Sequence, residues 1–488
     1  MITSSLIIVG VFILYLLAIF YLGVLAGKGM NDNEESYFLG NRSFGFYSSA
    51  MSSAATDTSG WIFIGAAGYA YVSGAEFMWM LPAYAFGGIL SWLIVGPALR
   101  RQSSKLGARD LADYFEKKLN DKTHLIKVTA TCIIILFFIP YLGSQLTAAG
   151  KTMNVVMNMD YNLAMVITAV VVVAYCFFGG YRAVMWTDTF QGTLMILILG
   201  ALPVYLIFSL GGWGAFWGQL LAIDPILGTA ASGKSGALAF GLVFGMMVMG
   251  LGTVGQPQNL QRYFTTKDAT ETFYKGMWVK AAFNIISMTG ACLLGLAARI
   301  YLPNLTDSEN AFPALVYELM PPVIIGIIIA GIFAAIQSTY SSQLLVVVQS
   351  IGDDLMKVFS KKQRSSKESV NLSRLIMIGM GILSLGLALI NLDTVFKLIL
   401  YAQSVMAAAF GPLLLMLLFW PSRVNKWGSF SGMVTGAFVT SVWYATGMSE
   451  YVWEIVPGSL SAILVLLLVT KLTNKKELTF TEEKKVKS

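Results

Sequence analysis

The sequence predicts an all-α integral membrane protein with about thirteen transmembrane helices, and three observations support this fold class. Hydrophobic residues make up 56% of the 488 positions and charged residues only 12%, about half the charged fraction of a typical soluble protein. Apolar runs of about 20 residues recur along the chain, each long enough to cross a bilayer. Basic residues alternate between the intervening loops. The spans are expected near residues 15, 58, 88, 137, 170, 199, 248, 288, 334, 382, 408, 438 and 461.

The first apolar run, Leu6 to Leu25, is expected to remain in the protein as a transmembrane helix. The alternative is a cleaved signal peptide. No basic residue precedes the run, it is too long for the apolar region of a signal peptide, and no clear small-residue cleavage site follows it.

The distribution of basic residues predicts the orientation of the chain in the cytoplasmic membrane. With the N-terminus outside and the C-terminus inside, 29 of the 33 lysines and arginines lie on the cytoplasmic side, as the positive-inside rule requires. The four that fall outside are Lys151, Lys234, Arg299 and Lys397. Contact with anionic lipid then accounts for the net charge of +7, so no nucleic-acid partner is expected.

The residue inventory argues against an enzyme. His124 is the only histidine, and the three cysteines lie in separate apolar runs, which excludes catalytic triads built on histidine and His-ligated metal centres. All loops are short and none carries a phosphate-binding glycine loop. No cofactor and no obligate protein partner are expected.

Two apolar spans contain segments that are poorly suited to the middle of a membrane helix. Residues 251–258 read LGTVGQPQ, with two glycines and a proline, and residues 52–61 read SSAATDTSGW, with Asp57 near the membrane centre. Proline and glycine break helices, and a carboxylate at that depth costs at least ~2.5–3.5 kcal/mol. Both helices are therefore predicted to be interrupted, although a proline kink used only for packing also fits residues 251–258 taken alone.

The spacing of the two breaks predicts an inverted repeat. They lie about 190 residues apart, and each falls in the first helix of a possible five-helix unit. Because five is odd, the second unit has the opposite orientation, and interrupted helices of such repeats meet at the membrane midplane. The expected organisation is residues 1–45, a transmembrane helix and cytoplasmic loop; 46–210, the first repeat; 211–420, the second repeat; 421–471, two peripheral helices; and 472–488, a disordered cytoplasmic tail.

A third polar segment, AAIQSTYSSQLL at residues 334–345, places Ser338 and Thr339 near mid-depth. Hydroxyls in membrane helices often bond only to the carbonyl one turn earlier, but this segment is unusually rich in polar residues. Hydroxyls and freed carbonyls are the oxygen ligands that a hard cation prefers. Proton coupling would instead depend on Asp57 as the one convincing titratable group, so sodium is favoured as the coupling ion.

Five segments resemble the solute–sodium symporter family, in particular its sodium/proline symporter branch. They are YFLGNRSFG (37–45), ATDTSGW (55–61), WTDTFQ (186–191), GLGTVGQP (250–257) and STYSSQLL (338–345). The resemblance extends from about residue 5 to 470 and implies a leucine-transporter-type core of two inverted five-helix repeats. It also implies a sodium site formed by the carbonyls of Ala55, Thr58 and Ala335 and the hydroxyls of Ser338 and Thr339.

The resemblance implies further roles around this site. Asp57 is expected to assist ion binding, and Arg42 matches a position linked to sodium coupling, although a positive-inside anchor explains it equally well. Asp188 is explained as a helix N-cap. The solute is expected to contact Ser59, Gly60, Tyr141, Met249, Thr253, Gln256 and Pro257. Met249 and Thr253 stand where the proline branch has aromatic residues, a difference that bears on solute selectivity.

Together these observations predict a secondary symporter that uses inward sodium flow to import a small organic solute by alternating access. Proline or a related amino acid is the leading solute, and pantothenate or another monocarboxylate is the alternative. A non-transporting sensor or a channel on the same fold is a further alternative. A sensor would be expected to carry a soluble output domain, and a channel to show polar residues along several spans.

Overall fold

The computed structural model describes residues 2–28, 34–267, 270–360, 365–390 and 394–486, without the side chains of residues 2–4, 34 and 475–486. Regular structure in this part of the chain is helical, apart from one isolated bridge between Phe44 and Thr266. The α-helices are α1 Ile2–Gly27, α2 Glu34–Leu39, α3 Phe46–Thr58, α4 Gly65–Ser73, α5 Met80–Leu90, α6 Gly96–Leu106, α7 Leu111–Leu119, α8 Leu125–Met157, α9 Tyr161–Ser209, α10 Trp213–Ile223, α11 Gly236–Leu251, α12 Pro257–Thr265, α13 Thr270–Tyr301, α14 Ala311–Leu319, α15 Pro322–Gln349, α16 Met356–Phe359, α17 Ser366–Ile390, α18 Val395–Phe419, α19 Lys426–Ala445 and α20 Ile455–Val486.

The predicted fold class is confirmed. Among the described residues, ten helical segments are long and apolar enough to cross a membrane, and all thirteen expected centres lie on helices or at the end of one. The counts differ for three reasons. The 49-residue α9 holds two centres, the helix near residue 58 is divided, and α19 is not among the ten. Gly180, at a φ of 50°, bends α9 between its two centres, a left-handed conformation that glycine adopts at little cost.

The order of helices repeats along the chain. A broken helix, α3–α4, opens the first expected unit, and a second broken helix, α11–α12, opens the other. A nine-residue helix, α7 or α14, precedes the third span of each unit. Helices α19 and α20 pack on each other and on α18, and α19 also packs on α8; their peripheral position stays a prediction.

The segment 472–488 differs from its expected disorder. The backbone of α20 continues to Val486, while residues 487 and 488 lie outside the described residues. The sequence from Lys471 onward is rich in lysine and glutamate, which are good helix formers. The high charge of this segment was therefore not sufficient to predict that its backbone would be disordered.

Two glycines bring α5 and α11 into backbone contact beside the second break. A Cβ on Gly250 would lie 2.0 Å from the Ala83 carbonyl oxygen, and one on Gly87 would lie 1.9 Å from the Gly250 carbonyl oxygen. Small residues at a helix crossing permit this approach in membrane proteins. The first segment of the broken helix, α11, is thereby fixed against α5.

We expect Gly250→Ala to lower the free energy of unfolding by about 1–3 kcal/mol, because the added methyl group must displace backbone. Gly386→Ala is the matched control, since a Cβ at Gly386 on α17 meets nothing within 4 Å. The apparent melting temperatures of the purified proteins in detergent test this. Equal melting temperatures for the two variants would contradict the packing argument.

Candidate functional site

The first broken helix is interrupted directly after Asp57 and Thr58. Ser59 has a φ of 47° and a ψ of −178°, and a short 3-10 turn, Gly60–Ile62, leads into α4. A non-glycine residue at positive φ is strained, which indicates that its surroundings impose the conformation. The freed amide of Gly60 donates to Gln145 Oε1 on α8 at 3.0 Å.

The second broken helix is interrupted by the 3-10 turn Gly252–Gly255 and the extended residue Gln256. Pro257 begins α12, where its missing N–H breaks no helical hydrogen bond. The Gln256 side chain donates to the Gln403 carbonyl of α18 at 2.8 Å. A Cβ on Gly255 would lie 2.6 Å from Cα of Ala407. Both predicted interruptions are therefore confirmed.

The two breaks meet at one polar region. Asn259, on α12, donates to Asp57 Oδ1 on α3 at 2.8 Å, which joins the segments next to the two breaks. Gln403 lies between them and donates through Nε2 to the Tyr141 hydroxyl at 2.9 Å. Its Oε1 accepts from Tyr84 at 3.2 Å. Helices α8 and α18 thus connect the two interruptions.

The predicted sodium-binding residues are partly brought together. Ser338 Oγ lies 3.1 Å from the Ala335 carbonyl oxygen and 3.3 Å from the Ala55 carbonyl oxygen, so three of the predicted oxygens are adjacent. Thr339 Oγ1 donates to the Thr56 carbonyl at 2.8 Å. The Thr58 hydroxyl donates to the Ala54 carbonyl within α3 at 2.7 Å. The Thr58 oxygen that can serve as the predicted sodium ligand is therefore its carbonyl.

Asp57 is buried and has two partners that the sequence did not indicate. Lys280 Nζ lies 2.9 Å from Asp57 Oδ2 and 3.2 Å from the Ser53 carbonyl oxygen, and Asn259 bonds to Oδ1. Counting Lys280 among the cytoplasmic loop charges was wrong, because only 2% of its side chain is exposed. A buried carboxylate needs a paired cation. The one feature of the sequence that indicated this pair is the position of Lys280 within an apolar span.

The interpretation of Asp188 as an N-cap was also wrong. Asp188 lies well inside α9, beyond the bend at Gly180, and is fully buried. Its Oδ2 accepts hydrogen bonds from Arg262 at 2.9 Å, Ser52 at 2.7 Å and Thr56 at 3.3 Å. Arg262, also counted as a loop charge, is fully buried on α12 and bonds to Ser342 of α15. A buried charge network therefore joins α3, α9, α12 and α15.

Arg42 lies away from these groups. It sits between α2 and α3 at a φ of 52° and donates to the Ala108 carbonyl at 3.3 Å. Arg42 Nε also lies 3.9 Å from Oε1 of the Glu35 carboxylate. The geometry connects Arg42 to the segment before α7 and leaves its role in ion coupling a prediction.

The predicted solute-binding residues lie in the two breaks or on the helices next to them, and their contact with a solute stays a prediction. Tyr141, Met249, Thr253 and Pro257 are buried. The Thr253 hydroxyl donates to the Gly250 carbonyl at 3.1 Å, and Ser59 Oγ accepts from the Trp61 amide at 3.3 Å. The Gln256 side chain donates to the Gln403 carbonyl of α18, so it holds the second break against that helix.

Several buried side chains carry polar atoms with no hydrogen-bond partner among the described residues. They include Trp61 Nε1, Gln145 Nε2 and both amide atoms of Gln343. Gln343 lies near the Tyr141 hydroxyl without the geometry of a hydrogen bond. A buried polar group left unpaired costs about 1–3 kcal/mol, so these atoms are suited to receive a polar solute. Sequence reasoning missed Gln145 and Gln343, although Gln343 lies within the polar segment 334–345.

The chain has clear similarity to known transporters. The profile of the sodium:solute symporter family matches residues 37–436. The chain is 34% identical to the high-affinity proline transporter PutP of Bacillus subtilis (strain 168), over 91% of this chain and 93% of that protein. It is 32% identical to the sodium/proline symporter of Staphylococcus aureus (strain JH9), over 94% and 92% of the two chains.

Two solved structures are similar in fold. One is a Na+-coupled sialic acid symporter in a substrate-bound outward-open state, with a TM-score of 0.76, 22% identity and coverage of 96% of this chain and 98% of that one. The other is Mhp1, a nucleobase-cation-symport-1 family transporter, with a TM-score of 0.57, 14% identity and coverage of 90% and 95%. At these identities the likeness bears on the fold alone.

We expect Lys280→Met to destabilise the protein by about 3–5 kcal/mol, because it leaves the Asp57 carboxylate buried without a cation. The double variant Asp57→Asn with Lys280→Met should recover most of this loss. Lys275→Met, which removes the exposed pair with Glu271 on the same helix, should change little. Melting temperatures of the four proteins give the measurement, and a double variant no more stable than Lys280→Met would contradict the pairing.

Proposed function

The chain belongs to the sodium:solute symporter family, and we propose that it uses inward sodium flow to import a small amino acid, with L-proline as the leading solute. It is a multi-pass membrane protein, and we place it in the cytoplasmic membrane with the N-terminus outside and the C-terminus inside. The basic residues of the loops support this orientation.

The single observation that carries the proposal is the polar region shared by the two broken helices. The α3 helix ends there with its carbonyls toward Ser338 of α15, and the partial negative charge of a helix C-terminus favours a cation. Helices α4 and α12 begin there, and the positive ends of half-helices favour an anionic solute group. Sodium and a carboxylate are thus accommodated side by side.

Sodium is proposed to bind at the oxygen cluster of Ala55, Ala335 and Ser338, completed by Thr58 and Thr339. The adjacent oxygens of the first three residues support this assignment. Neutral hydroxyl and carbonyl oxygens suit a hard cation. The nearest carboxylate along α3, Asp57, is already neutralised by Lys280, which supports an electrostatic role in place of proton exchange.

The solute carboxylate is proposed to receive hydrogen bonds from Trp61, Gln145 and Gln343, whose donors have no other partner among the described residues. The Tyr141 hydroxyl and Met249 then border the rest of the molecule. The names of the relatives support proline. Met249 and Thr253 supply a flexible thioether and a small hydroxyl in place of aromatic rings that would stack on a pyrrolidine, which keeps pantothenate or another monocarboxylate as a second candidate.

Alternating access is proposed to proceed by separation of α12 from α3. In this structure the inner segments are held together by Asn259 with Asp57 and by Arg262 with Asp188. These contacts close the path on the side of α12, and release of the solute requires that they part. Sodium bound between α3 and α15 would fix α3 in the form that receives solute from outside.

The energetics of one sodium ion are adequate for uptake. One charge crossing 100 mV contributes about 2.3 kcal/mol, and a tenfold concentration gradient adds about 1.4 kcal/mol. Their sum corresponds to roughly a few-hundred-fold accumulation of a neutral solute.

We expect proteoliposomes containing the protein to accumulate radiolabelled L-proline when an inward sodium gradient is imposed, and to continue when only the proton gradient is collapsed. Pantothenate serves as the competing solute. Uptake that follows pH and ignores sodium would refute the ion assignment. Sodium-driven uptake of pantothenate without proline would replace the leading solute by the second.

We expect Thr339→Ala to raise the sodium concentration for half-maximal uptake by about three- to tenfold, since one oxygen ligand is worth about 0.5–1.5 kcal/mol. Thr440→Ala is the matched control. Its hydroxyl is also buried but bonds to the Gly436 carbonyl in the peripheral helix α19. Protein yield and maximal rate should be similar in both, and an unchanged sodium dependence in Thr339→Ala would remove this residue from the site.

A further inference from the structure

A groove of about 350 Å³ lies between residues 166–178 of α9 and residues 378–385 of α17, and it is called the lateral groove below. Its lining residues carry only hydrocarbon side chains, apart from Gly381. Val170 and Ile382 line it and are 60% and 68% exposed. Because both helices are apolar enough to cross a membrane, the lateral groove opens toward lipid.

The lateral groove has about the length of one lipid leaflet. Residues 166–178 rise by about 18 Å along α9, and half of the hydrocarbon layer is roughly 15 Å thick. Phe178 lies eight residues beyond the expected span centre near residue 170, and Arg374 lies eight residues before the centre near residue 382. Both residues are therefore about 12 Å from the membrane midplane, at the cytoplasmic edge of the hydrocarbon in the proposed orientation.

Arg374 lies at this cytoplasmic end of the lateral groove. Its guanidinium carbon is 5.2 Å from the centroid of the Phe177 ring, and its Nε donates to the Phe177 carbonyl at 3.0 Å. Its Nη1 donates to Asn371 Oδ1 at 3.3 Å. Arg374 is half-buried and forms no ion pair with any described residue. The described part of the chain thus holds a cation beside a groove residue without a carboxylate to neutralise it.

A second cation lies at the same end. A Cβ on Gly27 of α1 would lie 2.7 Å from the Phe178 carbonyl oxygen, so the end of α1 packs directly on this part of the groove. The next residue, Lys28, is exposed and also forms no ion pair with a described residue. An anionic group at this end would therefore meet positive charge from α1 and from α17.

The described carboxylates of α2 and α17, which pack on each other at this end, have other partners. Glu35 of α2 lies 3.9 Å from Arg42. Glu368 accepts from the Ser365 amide at 2.9 Å in the first turn of α17, where the helix dipole favours a negative charge. Neither carboxylate takes the place of a ligand at Arg374.

We propose that the lateral groove binds one anionic phospholipid of the cytoplasmic leaflet, with an acyl chain between α9 and α17 and the phosphate at Arg374 and Lys28. Charge complementarity supports this occupant, because basic pockets between transmembrane helices on the cytoplasmic side bind anionic headgroups. The hydrocarbon walls match an acyl chain and offer no polar side chain to a water-soluble ligand. The inference does not depend on the solute or the ion proposed above.

The floor of the lateral groove lies close to the helix proposed to bind sodium. A Cβ on Gly381 would lie 4.0 Å from the Tyr340 hydroxyl of α15, and that hydroxyl is 2.7 Å from Ser384 Oγ on α17. Tyr340 directly follows Thr339, a predicted sodium ligand. The bound acyl chain is therefore separated from α15 by a single layer of residues.

The test measures how much radiolabelled phosphatidylglycerol the purified, delipidated full-length protein retains in micelles with a large excess of phosphatidylcholine. The wild type should retain about one molecule per chain. Arg374→Gln should bind it about fivefold or more weakly, the ratio that corresponds to one basic residue near an anionic surface, and Arg374→Lys should keep most of the affinity. Arg423→Gln is the matched control, since Arg423 is an exposed arginine that follows α18, away from the lateral groove.

A second variant changes the hydrocarbon part of the site and leaves both cations in place. Ala174→Phe puts an aromatic ring into the lateral groove and should weaken phosphatidylglycerol binding to a similar extent. Gly10→Phe is its control, because Gly10 is exposed on α1 and a Cβ there meets nothing within 4 Å. This control should bind as the wild type does.

Four results would overturn the inference. They are equal retention of phosphatidylcholine and phosphatidylglycerol by the wild type, which indicates ordinary bilayer lipid; unchanged binding in either Arg374→Gln or Ala174→Phe; displacement of the lipid by inorganic phosphate, which indicates an anion site without an acyl chain; and disulfide formation between two Ile382→Cys chains, which makes the groove an interface between copies. The assay contains neither proline nor a sodium gradient, so a failure of the proposed transport function would be seen separately, in proteoliposomes.

Discussion

The structure depends on one constraint, which is that peptide groups freed inside a membrane must be paired within the protein. The two interrupted helices expose such groups. At the first break a neighbouring helix supplies the partner, since Gln145 of α8 accepts from the Gly60 amide, and at the second break the Gln256 side chain donates to the Gln403 carbonyl of α18. The surrounding helices are thus held around the breaks by the need to satisfy these freed peptide groups.

The buried charged side chains around the two breaks form ion pairs with one another. Asp57 and Asp188 are both buried, and each has a cation from the second repeat, Lys280 or Arg262. Ion pairs of this kind add little net stability, but removing one partner is costly. They therefore act as specific links between the two repeats, next to α3 and α12. The oxygen cluster at Ser338 lies next to α3 and is made of neutral groups.

Sequence reasoning was successful where the signal was local. Glycine, proline and polar residues inside apolar runs marked both breaks, and the hydroxyls of Ser338 and Thr339 marked the neighbouring helix. It failed where the partner is distant along the chain. Asp188 matches the local pattern of an N-cap, but it pairs with Arg262, 74 residues away. Lys280 and Arg262 were assigned by loop position, because no periodicity in the sequence shows which helices face each other.

The contact between Gly87 and Gly250 has a consequence for motion. Because the backbones of α5 and α11 touch there, with no space for a side chain, the two helices cannot slide past one another and should travel as a single rigid unit. Rotation of α12 relative to this unit is then confined to the few residues from Gly252 to Gln256. We therefore expect the interruption that exposes the polar groups to serve as the hinge as well.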